Sequence, residues 1–171
     1  MKKILSLLTL VIVAISIGGC GNIDLSSIRE SQLTSHMSEE AEKITEMSNE
    51  IIRCFIERDK DALKGLFCEQ TQNQPGFDNE IDNAFDFLQC ESYTTSEIDT
   101  SASGNESIRE GKRVMWSVQP EIPYFKVWAG REHHYYSIRY SWLIINDEDA
   151  SKVGLGSMTI ELLNIESIHI G

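Results

Sequence analysis

The chain has 171 residues, with 15 Lys plus Arg against 27 Asp plus Glu and a formal net charge of −12. That balance argues against nucleic acid, whose phosphates need a basic footprint, and against a domain lying flat on an anionic bilayer. Such a charge is sufficient to keep a domain soluble and need not mark a cationic partner.

Met1-Lys2-Lys3 is a short basic start, and residues 4–17 are an uncharged, mainly apolar run. A spanning helix needs about 20 apolar residues, so this run is short for a transmembrane segment. A basic start and a short apolar stretch form the pattern of a secretory signal. The run ends in Ile17-Gly18-Gly19-Cys20, which resembles a bacterial lipobox. The resemblance implies a signal peptide over residues 1–19 and a diacylglyceryl group on the sulfur of Cys20. With two or more acyl chains the mature protein is held stably on a membrane without spanning it. Its expected location is the cell membrane, lipid-anchored and facing the extracytoplasmic side. Loss of Lys2 and Lys3 with the leader takes the charge from −12 to −14.

Residues 20–38 carry many Ser, Asn and Thr residues and read as the lipidated cysteine and a flexible tether. The alternative is a docked helix, weakly supported by Ile23, Leu25, Ile28 and Leu33. Residues 39–171 are enough for one domain with a core. Ala41, Ile44, Met47 or Ser48, Ile51, Ile52 and Phe55 recur at helical spacing and predict an amphipathic helix over 39–58. A shorter helix follows over 59–67, with Ala62, Leu63, Leu66 and Phe67 inward. Residues 70–76 read as a polar loop with a Pro75-Gly76 turn, and 78–89 as a third helix burying Ile81, Ala84, Phe85 and Leu88.

Beyond Cys90 the period changes to that of strands. Residues 91–98 form a plausible strand, and 99–110 a Ser/Gly/Asn loop. Val114, Trp116 and Val118 alternate with polar residues over 112–119. Pro120 and Pro123 interrupt before 124–128, an edge strand or a continuation past a bulge. The longest strand is expected over 133–145, with His134, Tyr136, Ile138, Tyr140, Trp142 and Ile144 on one face. An acidic turn over 146–151, a strand over 152–163 and a short one near 165–170 complete the chain. Helices first and long antiparallel strands afterwards make an α+β layout.

Cys54, Cys68 and Cys90 are an odd number in a compartment where disulfides persist. One pair with a free thiol, or three free thiols, both fit. Cys54 lies beside an apolar helix stripe and reads as a small buried hydrophobe. Cys68 and Cys90 each close a predicted helix and are the preferred pair. The spacing matches no zinc site. His133 and His134 are adjacent on a strand and point to opposite faces, so no metal is expected there. No phosphate loop, hydrolase elbow or metalloprotease motif is present, and no cofactor is implied. Arg139 sits mid-strand among aromatics, where it is expected to pair with an Asp or Glu.

Phe55-Ile56-Glu57-Arg58-Asp59 followed by Asp61-Ala62-Leu63-Lys64-Gly65-Leu66-Phe67 resembles the opening of nuclear-transport-factor-2-like (cystatin-like) domains. There a long helix precedes a short one with a D-x-x-x-L-x-x-L-F pattern. Residues 135–142, 146–149 and 151–155 are similar to a family of uncharacterised lipoproteins from Gram-positive bacteria, grouped as a domain of unknown function. The resemblance covers about 39–163 and implies a cone in which helices pack on a curved antiparallel sheet.

A concave sheet face can hold a small apolar ligand or a protein partner, although a fold alone chooses no function. Trp116, Tyr136, Tyr140 and Trp142 are the candidate ligand-binding residues. Against a role in chemistry, the preferred reading of Tyr136, Tyr140 and Trp142 is aromatic filling of a sheet face, their apolar bodies and polar tips suiting a half-buried position. The leading expectation is a non-enzymatic, membrane-tethered binding or interaction domain. A second is a small isomerase- or dehydratase-like enzyme with a pocket general base, drawing on His134, Tyr136 and Tyr140 with Asp82 or Asp86. A third is a dimer formed through the outer face of the sheet.

Overall fold

The computed structural model describes residues 25–88, 92–95, 99–129, 132–163 and 165–171. Helix α1 runs Leu25–Glu57. It therefore begins at Leu25, within the segment read above as tether. Its end follows from local geometry: Arg58 takes φ 54°, and Asp59 N–H donates back to Cys54 C=O at 2.9 Å, a left-handed cap that satisfies a terminal carbonyl. Asp59 then caps α2 (Lys60–Leu66) through its carboxylate, which accepts from Ala62 N–H at 3.0 Å. The expected loop after α2 contains one helical turn, α3 (Glu69–Gln72). The Pro75-Gly76 turn, with Gly76 at φ 92°, leads into α4 (Phe77–Phe87).

Among the described residues, β1 (Ser92–Thr95), β2 (Asp99–Arg109), β3 (Lys112–Ala129), β4 (Glu132–Asn146), β5 (Gly154–Leu162) and β6 (Glu166–Ile170) form one curved, open, antiparallel sheet. Strand β3 is long enough to pair β1 and β2 at different points along the same edge, and β4, β5 and β6 follow in order on the other side. The architecture is α+β.

One expectation fails here, and one choice between alternatives is decided. Residues 99–110 are not a loop but a strand and its turn. Ser, Gly and Asn have poor strand propensity, but the ladder to β3 overrides it. Glu110 and Gly111, at φ 52° and 77°, form the two-residue hairpin that sets this register. Of the two readings of 124–128, the continuation past a bulge holds, and the prolines do not end β3. Pro120 falls where the β2 ladder is irregular, between the Ser103–Gln119 and Asp99–Glu121 pairs, and Pro123 where the β4 register shifts between Ile122 and Phe125. A residue without an N–H is tolerated where the ladder is already broken.

The shift at Pro123-Tyr124 also changes which residues face the helices. Trp116, Val118, Pro120 and Ile122 are buried, and after the bulge it is Phe125 and Val127. In β5 a second shift, opposite Ser141-Trp142, does the same, so Leu155 and then Met158 and Ile160 are buried. Bulges of this kind bend a strand and increase its twist. Against the helix-facing side pack Ile51, Ile52 and Phe55 of α1, Leu63 of α2 and Ile81, Ala84 and Phe85 of α4, forming the main core with Ile138, Tyr140 and Ile160. A smaller cluster joins Ile44, Trp116 and Val118. Among the described residues no helix is long and apolar enough to cross a membrane.

Candidate functional site

The aromatic residues expected to line a pocket are mostly core. Trp116, Tyr136 and Tyr140 are 3 %, 4 % and 3 % exposed. Trp116 lies under two cations, with the Arg113 guanidinium 4.2 Å and Lys43 Nζ 5.5 Å from its ring centre. The Tyr136 hydroxyl donates to Phe87 C=O at 3.2 Å. The Tyr140 hydroxyl meets Ser48 Oγ at 2.8 Å and donates to Ile44 C=O at 3.3 Å, both on α1. Burial pushes its pKa up to about 12, against a smaller opposing effect of the Ser48 hydrogen bond. Both buried tyrosine hydroxyls are therefore satisfied, as buried hydroxyls require, and these rings read as aromatic filling. Trp142 is half-buried and borders a cleft.

The candidates for acid–base chemistry do not converge. Asp82 is bound to Lys60 Nζ at 2.5 Å, and that hydrogen bond lowers its pKa. Asp86 is exposed on α4, and His134 is half-buried on β4. His133 is exposed and stacks with Trp128, ring centres 5.2 Å apart. Arg139 pairs with Glu161, as expected, although on the solvent side of the sheet rather than inside. Cys54 and Cys68 are buried free thiols; burial raises Cys54 to about 11, and Cys68 Sγ lies 3.3 Å from Thr71 Oγ1. Cys20 and Cys90, and with Cys90 the second half of the expected bridge, lie outside the described residues.

The concavity that the structure does present is on the sheet face turned away from the helices. Gln119, Glu121, Arg139, Ser141, Ser157 and Thr159 alternate with the buried residues of β3, β4 and β5, and with Ser103 they line a cleft of about 420 Å³. A second cleft of about 550 Å³ shares Ser103, Gln119 and Ser141 with it, so the two form one groove. This second part adds Asn105 and Ser117, and it is walled by Gln70, Thr71 and Gln74 of the α3 region and by Lys152.

Local structure holds that wall in place. Gly154, at φ 130°, lets Cys68 N–H come close enough to donate to Leu155 C=O at 2.9 Å; a Cβ there would sit 2.7 Å from the Cys68 nitrogen. Thr71 Oγ1 donates to Gly156 C=O at 3.0 Å. Neither cleft is lined by His134, Tyr136, Asp82 or Asp86. The lining is mainly hydroxyl and amide, with Glu121, Arg139 and Lys152 as charged groups and Trp142 and Leu143 as apolar ones, a surface suited to hydrogen bonding with polar groups.

Sequence reasoning missed this groove in part because Ser103, Gly104 and Asn105, which line it, lie on β2, read as a loop. The remaining signal was the odd-numbered run Ser137, Arg139, Ser141 on β4, visible but set aside beside the aromatic even-numbered run. No curated protein matches the chain. Residues 50–167 match the family described as a domain of unknown function, DUF5104, and the chain belongs to that family.

Proposed function

We propose that this is a membrane-anchored, extracytoplasmic lipoprotein whose domain is a non-enzymatic binding module, and that it recognises its partner through the open face of the sheet. The single observation that carries the binding reading is the groove spanning β2 to β5, lined by Ser103, Asn105, Gln119, Ser141, Ser157 and Thr159. Binding sites are concave, with a few convergent polar groups. The anchor is supported by the basic start, the apolar run and Gly18-Gly19-Cys20. The order of elements, a long helix, a short one and then a bulged antiparallel sheet, supports a nuclear-transport-factor-2-like cone.

The binding reading is tested with the full chain carrying a photo-crosslinking residue in its own cell envelope. Ser141 and Gln119 on the open face are compared with Asp61 and Asn79 on the helical surface. Adducts from the first pair alone are expected; adducts from the helical positions alone overturn the choice of face. The anchor is tested separately. Cys20→Ser is expected to move the protein from the membrane to the soluble fraction, and unchanged membrane retention would contradict lipidation at that sulfur.

A further inference from the structure

The two clefts end at Arg139 and Thr159, and beyond them Ser137 is covered, but the open face does not end there. The same face of the sheet continues along β4 through Ser137 to Tyr135 and His133, and along β3 through Tyr124 and Lys126 to Trp128. Lys126 is registered opposite Tyr135 and Trp128 opposite His133. Trp128 and Tyr135 are 36 % and 41 % exposed, in contrast to the buried aromatics on the other face. They form one platform: Lys126 Nζ stands 4.5 Å from the Trp128 ring centre and 5.7 Å from that of Tyr135, and His133 contacts both rings. From Tyr135 to Ser141 along β4 is roughly 20 Å at ~3.4 Å per residue. One face therefore carries an exposed aromatic platform at one end and a hydroxyl- and amide-lined groove at the other.

We infer that this face binds a neutral glycan chain, and the inference rests on the reading that the open face is the recognition surface. A sugar ring has an apolar C–H face that packs on an aromatic ring and a rim of hydroxyls that needs donors and acceptors. Trp128 and Tyr135 offer the first. Ser103, Asn105, Ser117, Gln119, Ser141 and Thr159 offer the second, each able both to donate and to accept. The charge pattern selects among polymers. Arg139, the cation at the centre of the face, is held by Glu161 and lies opposite Glu121 in the ladder. Lys152 pairs with Asp149, and Lys126 stands over the aromatic rings. With a net charge of −12, the face therefore holds scattered cations rather than a basic track for an anionic chain, whereas a neutral chain meets no repulsion. A protein segment is disfavoured because the middle of the face offers side-chain hydroxyls rather than an apolar pocket for an anchor residue.

The test is isothermal titration of the full chain, in a polyoxyethylene detergent that carries no sugar, with chitohexaose, cellohexaose and maltohexaose. Saturable binding of at least one oligosaccharide is expected. Trp128→Ala and Tyr135→Ala should each weaken it about tenfold. Gln119→Ala should weaken it severalfold, and Asp61→Ala on the helical surface should leave it unchanged. All four side chains are exposed, so the variants retain the fold.

Absence of binding to all three oligosaccharides overturns the inference, as does binding that survives both aromatic substitutions. Sedimentation showing self-association lost in Trp128→Ala, with no oligosaccharide bound, assigns the platform to a second copy instead. Crosslinks from Ser141 without oligosaccharide binding would remove the glycan and leave the open face as the recognition surface. Crosslinks confined to the helical surface would remove both.

Discussion

Strand β4 carries two different surfaces on alternate residues. Tyr136, Ile138 and Tyr140 face the helices and are buried. Tyr135, Arg139 and Ser141 face away and are half-buried or exposed, while Ser137 is covered beside Glu161. The first set is large and mainly apolar, with its tyrosine hydroxyls hydrogen-bonded; the second is more polar, and its Arg139 and Ser141 border a groove. A strand's two-residue period places side chains with such different duties one backbone step apart. What decides whether an aromatic residue is packed or exposed is its parity, not its type. Tyr135 and Tyr136 are adjacent, yet one stands in solvent and the other in the core.

Substitutions at neighbouring positions of β4 sharpen this contrast. Ile138→Ala has the largest expected effect, about 2–5 kcal/mol of stability, because it removes a fully buried side chain from the middle of the core; a urea melt of the soluble fraction reads it. Tyr140→Phe comes next at about 1–2 kcal/mol, because Ser48 Oγ is left buried beneath it without that partner.

The same substitution changes the response to alkali. The folded pKa of Tyr140 is raised to about 12, above an unperturbed value near 10. The stabilisation it contributes is fully present below pH ~10 and is lost as pH rises towards 12. Urea midpoints measured at pH 9 and 11 should therefore converge in Tyr140→Phe relative to the parent. Part of the decline should remain, because the Cys54 thiol, raised to about 11 by burial, adds a loss of the same sign. Arg139→Ala is expected to have the smallest effect, within about 1 kcal/mol, since its partnership with Glu161 lies in solvent. A loss as large as that of Ile138→Ala would erase the distinction between the two faces.

Much of the fold was legible from periodicity. The stripe from Ile44 to Phe55 and the group Ile81, Ala84 and Phe85 lie in the core as the helical spacing required, and α2 and α4 begin and end within a few residues of expectation. One segment was illegible and another was left open between an edge strand and a bulged continuation, for a shared reason. Ser101 to Asn105 has the composition of a loop, and Pro120 and Pro123 have the signature of strand breaks. Both are held in the sheet by partners remote in sequence, and a local reading sees none of those partners. The parity change at Tyr124, a residue with φ 53°, was hidden in the same way. It moves Phe125 and Val127 inward and leaves Lys126 and Trp128 on the open side. The part of the groove on β2 was lost with that strand, whereas of the aromatic candidates Trp116, Tyr136 and Tyr140 are buried and Trp142 borders the cleft.

Tyrosine nitration of the native full chain, with sites assigned by fragment mass spectrometry, examines the division of the sheet most directly. Nitration at Tyr124 and Tyr135 with protection of Tyr136 and Tyr140, reversed only on unfolding, is the predicted result. Modification of Tyr136 or Tyr140 in the folded protein at the rate of Tyr135 would contradict it.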